Sequence, residues 1–146
     1  AETFPDRTRA LVSAGHSLGN HTYTHVDPWS ASAERLQQEV IRTTRCLQDL
    51  ARTRIRALRP PYGHPTGPLR RWCAERNQRM VMWDVMPGDY LKTATADRVA
   101  RFVIRHVRPG SVIVLHDNPV CEGVTLPALT RILETLSAEG WSFDAL

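Results

Sequence analysis

Ser111-Val112-Ile113-Val114-Leu115-His116-Asp117 is the most strand-like run in the chain, apolar and largely β-branched until it ends on an imidazole and a carboxylate. A strand apolar on both faces belongs in a sheet covered on both sides, which in soluble proteins is a parallel sheet with helices outside it. Pro109-Gly110, just before the run, ends a preceding helical pattern. The polar residues then fall at the carboxyl end of the strand, where parallel α/β folds build their sites.

The segments on either side agree with this reading. Upstream, Thr95 or Asp97 opens a helix with Val99, Phe102, Val103, His106 and Val107 on one face. Downstream, a last helix covers about Thr125 to Ala138 and stops at Gly140, leaving Trp141 to Leu146 as a final strand. Pro5 to Ala14 reads as a short helix stopped by Gly15, and His16-Ser17-Leu18-Gly19 as a brief strand. Ser30 or Ser32 caps a long helix that carries Leu36, Val40, Ile41, Leu47 and Leu50. Ile55 to Leu58 is a short strand leading into Arg59-Pro60-Pro61-Tyr62-Gly63, a rigid loop because consecutive prolines exclude helix and central strand. From Pro68 a helix carries Leu69, Trp72 and Cys73, and Met80-Val81-Met82-Trp83 is an apolar strand ending at Asp84 and the turn Met86 to Tyr90. Strands and helices alternate without an internal repeat or low-complexity linker, which predicts one α/β domain over 1–146 with a parallel sheet or barrel.

Bulk properties narrow the function classes. At 146 residues, 42% hydrophobic and 23% charged, the chain has the composition of an ordinary globular domain. No apolar run approaches the ~20 residues of a membrane span, so no transmembrane segment is expected. The net charge of +4 is carried by scattered arginines, with Lys92 the only lysine, and this argues against a nucleic-acid partner. Cys46, Cys73 and Cys121 form no CxxC pair and read as buried free thiols. The start Ala-Glu-Thr-Phe-Pro-Asp carries neither signal peptide nor initiating methionine, so a processed or truncated chain is expected and the compartment is not legible.

Chemistry-bearing residues collect at four predicted strand ends: His21 and His25, Arg59 and Tyr62, Asp89, and His116 with Asp117. The two histidines stand four residues apart in Gly19-Asn20-His21-Thr22-Tyr23-Thr24-His25, a spacing that puts two imidazoles within reach of one divalent ion if the backbone turns between them. The helical His-Glu-x-x-His of metalloproteases is excluded, because Thr22 occupies the position of its general base. Hydrogen-bonded or surface histidines are the plain alternative for the pair alone.

Together these stretches resemble the NodB-type polysaccharide deacetylases, carbohydrate esterase family 4. Gly15-His16-x-x-Gly19-Asn20-His21-Thr22-x-x-His25 resembles the family's metal-binding motif, and Arg59-Pro60-Pro61-Tyr62-Gly63 its RPPYG loop. Trp83 to Tyr90 resembles its DxxDW segment, and Ile113-Val114-Leu115-His116-Asp117 its closing LHD motif. The resemblance implies a distorted (β/α) barrel and hydrolysis of N-acetyl, or sometimes O-acetyl, groups on an acetylated polysaccharide or oligosaccharide such as a chitin oligomer or peptidoglycan.

Two departures qualify it. The family's first motif, TFDDG, supplies a base aspartate and a metal-ligand aspartate. Thr3-Phe4-Pro5-Asp6 imitates it but lies one short helix before His16, so it reads as a helix entry and the barrel is expected to lack its first strands. Met86 stands where the family has the first aspartate of DxxDW, and Tyr90 where it has tryptophan, while Asp89 matches the aspartate used in proton handling.

By resemblance, His21 and His25 hold a divalent metal, zinc first, with cobalt, nickel or manganese as alternatives. His116 is the general acid, positioned by Asp89; Arg59 pairs with the base aspartate; the backbone N–H at Tyr62 meets the oxyanion; Leu115 lines the acetyl pocket, although on periodicity alone it is core. Asp84, Asp117 and His16 are read as structural, His64 as an exposed loop residue and His106 as a helix-face residue. The absent aspartates keep a second reading open, a catalytically inactive NodB-like carbohydrate-binding or structural relative. The family setting implies periplasm, cell surface or secretion; polymer, metal and oligomeric state stay undetermined by sequence.

Overall fold

A computed structural model describes the whole chain, Ala1–Leu146, as two compact units, one of Ala1–Met82 with Ala145–Leu146 and one of Trp83–Asp144. The first unit holds helix α1 (Pro5–Ser13), strand β1 (Gly19–Asn20), helix α2 (Ala33–Ala51), strand β2 (Ala57–Leu58), a single 3-10 turn (Pro61–Gly63), helix α3 (Gly67–Glu75) and strand β3 (Arg79–Met80). The strands are parallel in the order β1-β2-β3, with Asn20 opposite Leu58 and Leu58 opposite Met80. Helices connect successive strands, as parallel pairing requires.

The helix boundaries follow the side chains that close them. Ser32 Oγ accepts from the Arg35 N–H at the start of α2, and Thr66 Oγ1 from Leu69 N–H at the start of α3. One apolar cluster, Leu36 and Val40 of α2, Leu58 of β2, and Leu69 and Cys73 of α3, with half-buried Val26, Trp72 and Met80 beside it, fixes both helices against the central strand.

The second unit contains helices α4 (Ala96–His106) and α5 (Glu122–Ala138), packed through Val99, Ala100, Val103, Ala128, Ile132 and Leu136 around Val85. Thr95 Oγ1 caps α4 through the Arg98 N–H. Helix α5 begins three residues earlier than expected from sequence and carries Pro127 in its second turn, at the cost of one intrahelical hydrogen bond.

The expected strands are much shorter than the apolar runs that announced them. His16 to Gly19 contributes only Gly19 to β1, Ile55 to Leu58 only its last two residues, and Met80 to Trp83 only Met80. The run Ser111 to Leu115 makes one parallel bridge, Ile113 with Val85. Its donors explain why. The Val112 N–H goes to Asp84 Oδ1 at 2.7 Å, the His116 N–H goes to Asp89 Oδ2 at 2.6 Å, and the Val114 N–H reaches the neighbouring segment at Val85 O, at 2.9 Å. Aspartate side chains thus replace the ladder at both ends of the run. Trp141 to Leu146 is not a strand: residues 142–146 are exposed, and Ser17 Oγ donates to Leu146 O at 2.6 Å. The cysteines are all free; Cys73 and Cys121 are buried as expected and Cys46 is half-buried.

The α4–α5 core gives a direct test of this packing. Ile132 is 1% exposed and Leu126, on the same helix, 68%. Chemical denaturation is expected to show Ile132→Ala destabilised by about 2–5 kcal/mol and Leu126→Ala changed by no more than about 0.5 kcal/mol.

Candidate functional site

The histidine loop begins where β1 stops, and buried polar side chains shape it. Asn20 is fully buried; its Nδ2 donates to Val40 O and Thr44 Oγ1, both at 2.8 Å, and its Oδ1 accepts from the Thr22 N–H at 2.9 Å. Glu39, 4% exposed on α2, closes the other side of the loop. Its Oε2 accepts the N–H groups of Tyr23 at 2.8 Å and Thr24 at 2.6 Å, and its Oε1 accepts Thr24 Oγ1 at 2.9 Å and pairs with Arg35. Burial alone would raise the Glu39 pKa, but the Thr24 and Tyr23 hydrogen bonds and the Arg35 charge outweigh it and hold the group below the usual glutamate value.

Those bonds force an unusual backbone. Of five non-glycine residues with positive φ, Thr22 (63°), His25 (57°) and Tyr62 (57°) lie in the two loops the sequence singled out. A β-branched residue in this region is an outlier, and Thr22 also buries a hydroxyl without a partner. Local strain of this kind collects at functional sites.

The strain brings the rings together. His21 and His25 have centroids 4.9 Å apart, and His25 lies 4.8 Å from Tyr62. His21 Nδ1 is 2.7 Å from Arg59 O. A carbonyl only accepts, so Nδ1 carries the proton, and in the neutral ring Nε2 is then the nitrogen a metal ion would take. Two imidazoles so arranged fit a borderline-soft divalent ion. No group of three or more His, Cys, Asp or Glu side chains converges on such a position, so this chain offers the histidine part of a metal site. Asp6 lies inside α1 and pairs with Arg9, as the helix-entry reading of Thr3 to Asp6 expects. Arg59 is fixed by its N–H to Asn20 O at 2.8 Å and by Nε to Val81 O at 3.1 Å, and burial lowers its pKa.

The second unit holds the other expected residues. Asp89 is 1% exposed; its Oδ1 lies 2.8 Å from His116 Nδ1, and its Oδ2 accepts the His116 N–H and, at 2.7 Å, Thr125 Oγ1. Burial would raise the Asp89 pKa, yet the His116 backbone and ring bonds, the Thr125 hydroxyl and the His116 charge hold it below the usual value. An ionised Asp89 makes His116 Nδ1 the donor, so Nε2 is the nitrogen through which His116 exchanges a proton. Tyr90 packs edge-on against the His116 ring at 4.8 Å, and Leu115 is half-buried against the α4–α5 core. Asp84 is structural: Ser111 Oγ and Val112 N–H bind its carboxylate and lower its pKa. His106 Nδ1 donates to Phe102 O on the face of α4. His64 is not the exposed loop residue expected; it is half-buried, with Nδ1 2.8 Å from Asp27 Oδ1.

Sequence reading did not single out Glu39, Thr125 or the role of Asn20. Glu39 left one signal, an acid on the same helical face as the apolar Leu36 and Val40. Thr125 left none.

Comparison with known proteins accounts for this arrangement. Residues 1–81 match the family model of polysaccharide deacetylase. The chain belongs to the polysaccharide deacetylase family. It is 32% identical to a peptidoglycan-N-acetylglucosamine deacetylase of Bacillus cereus, over 100% of this chain and 53% of that protein, so it spans about half the length of that relative. It is 31% identical to a chitooligosaccharide deacetylase of Bradyrhizobium, over 97% of this chain and 70% of that one. Among solved structures, a peptidoglycan N-acetylglucosamine deacetylase superposes with a TM-score of 0.93 at 32% identity, covering 100% of this chain and 68% of that one. A family 4 acetyl xylan esterase from Clostridium thermocellum, in complex with a cobalt ion, superposes with a TM-score of 0.88 at 26% identity, covering 99% and 69%. The fold is therefore the α/β fold of the NodB-type deacetylases, as the motifs implied.

The carboxylates that shape the loops set two expectations. Glu39→Ala leaves the buried donors of Tyr23 and Thr24 without an acceptor, at about 1–3 kcal/mol each, a loss that chemical denaturation should show. Because Glu39 and Asp89 both have depressed pKa values in the folded state, their stabilisation is full above the ordinary carboxylate values near ~4 and is lost as pH falls through the lowered folded values. Thermal melts should therefore drop below about pH 4, and Asp89→Asn should flatten that acid slope.

Proposed function

We propose that this chain carries out metal-assisted removal of N-acetyl groups from a carbohydrate polymer, chitin oligomers or peptidoglycan being the substrates named for its relatives. The observation that carries the reading is the His116–Asp89 pair, an imidazole whose Nδ1 is held by a buried carboxylate kept ionised. Amide hydrolysis joins water oxygen to the acetyl carbon and breaks the C–N bond, and the departing amine must gain a proton. His116 supplies that proton from Nε2, while Asp89 orients the ring through Nδ1. Asp89 is a positioning residue. The Tyr62 backbone, fixed between Pro61 and Gly63 in a left-handed conformation, is the candidate donor to the developing oxyanion. Arg59 is the candidate partner of a base aspartate. Leu115 is the candidate for contact with the acetyl methyl.

His21 and His25 would hold the metal, zinc by preference, cobalt being the ion bound in the acetyl xylan esterase. When bound, a divalent ion polarises the acetyl carbonyl and lowers the pKa of coordinated water. O-acetyl groups undergo the same chemistry with an alcohol leaving. Action on a wall polymer such as peptidoglycan, which lies outside the cytoplasm, would go with a position at the cell surface, in the periplasm or in the medium.

A second reading is an inactive carbohydrate-binding relative, because residues 1–146 bring two histidines and no carboxylate to the metal position. One pair of measurements separates the two. Zinc binding by calorimetry, with acetate release from an N-acetylglucosamine oligomer, is expected in the unmodified protein. His25→Ala is expected to abolish both. His116→Ala should keep zinc and lose about 10²–10⁴ in kcat. Zinc binding without acetate release supports the inactive relative, and unchanged rates in His116→Ala refute the assigned acid.

A further inference from the structure

The aromatic rings of the histidine loop do not end at the metal pair. From His25 the contacts run to Tyr62 at 4.8 Å, from Tyr62 to His64 at 5.8 Å, and from His64 to Trp29 at 3.5 Å. Trp29 is the outer end of this row and is 67% exposed. A single exposed tryptophan is ordinary by itself. This one is held in place. Its ring lies parallel to the His64 imidazole within 3°, and the Trp29 N–H donates to Asp27 Oδ1 at 3.0 Å. The same Asp27 oxygen lies 2.8 Å from His64 Nδ1. One carboxylate oxygen therefore fixes both the backbone of Trp29 and the ring on which its indole rests. One indole face is occupied by His64, and the exposure belongs to the rest of the ring. Asp27 Oδ2 makes no hydrogen bond within the protein, which leaves an acceptor on the carboxylate that anchors Trp29 and His64.

An immobilised indole face next to a carboxylate oxygen is suited to a particular chemistry. The axial C–H bonds of a pyranose ring are slightly positive and point into the negative face of an aromatic ring on which the sugar lies flat, and the equatorial hydroxyls of the same sugar are donors for a neighbouring carboxylate. Because Trp29 and Asp27 are already ordered, binding loses little side-chain entropy. We propose that Trp29, backed by His64 and Asp27, is a sugar-stacking subsite that holds a pyranose unit of the polymer at a position removed from the unit that reacts near His21 and His25. The choice of a polymer as ligand rests on the deacetylase reading above. The subsite gives that reading a specificity: oligomers long enough to reach Trp29 bind more tightly than short ones.

The test follows the Trp29 indole N–H by NMR, its resonance assigned with Trp29→Phe, in protein carrying His116→Ala so that substrate is not turned over. Titration with an N-acetylglucosamine tetramer is expected to shift the Trp29 signal, and the monomer to leave it in place at the same sugar concentration. By calorimetry, Trp29→Ala should weaken tetramer binding about tenfold and Trp29→Phe about two- to threefold, since a smaller ring still stacks. A Trp29 signal unmoved at saturating tetramer, with an unaltered Kd in Trp29→Ala, overturns the subsite. The two readings fail separately. A shifted Trp29 signal without acetate release in unmodified protein leaves the subsite standing and sinks the deacetylase; acetate release with an unmoved Trp29 signal does the reverse.

Discussion

Backbone donors beside a two-residue strand or a single bridge must find acceptors, and in this protein carboxylates provide them. Glu39 takes the N–H groups of Tyr23 and Thr24, Asp84 that of Val112, and Asp89 that of His116. Each of these side chains does at a loop what a neighbouring strand would do in a longer sheet. A charged acceptor makes a stronger and more directional bond than a neutral carbonyl, so the loops are fixed although the ladders are short. The carboxylates stay ionised because the bonds they accept outweigh the desolvation that burial imposes.

The same constraint produces the chemistry. Glu39 and Asn20 draw the histidine loop tight enough that Thr22 and His25 adopt left-handed backbone. The tight turn sets the two imidazoles side by side, and the Arg59 carbonyl on the adjoining strand end selects the tautomer of His21. In the other unit Asp89 binds both the main chain and the ring of His116, so ring orientation is tied to the backbone that carries it. Strained loops held by buried polar anchors are a common way to store preorganisation. Here the anchors lie on β1, on α2 and in the loop before α4.

Much of this was legible in the sequence, for identifiable reasons. Helix α2 was readable from its Ser32 cap and apolar stripe, and α4 from Thr95 and the Val99 and Val103 face, because caps and periodicity are local signals. The two prolines at 60 and 61 announced the rigid loop that places Tyr62. Strand lengths were not legible, since an apolar run reports burial and not pairing: Ser111 to Leu115 packs around a single bridge because Asp84 and Asp89 intercept its donors. Nor did the sequence reveal that His64 serves as the bed of Trp29, a contact between residues 35 positions apart. Glu39 was hidden by a general expectation that glutamate on a helix faces water, which the donors of Tyr23 and Thr24 override.

The account holds that one set of imidazoles receives metal and another handles protons, each committed by its Nδ1 partner. Long-range nitrogen NMR of the six histidines during a zinc titration reads this directly. The account predicts that both His21 and His116 carry a proton on Nδ1 in metal-free protein, with zinc shifting the Nε2 signals of His21 and His25 and leaving that of His116 in place. A His21 found in the other tautomer, or zinc moving His116 in preference to His21 and His25, would contradict it.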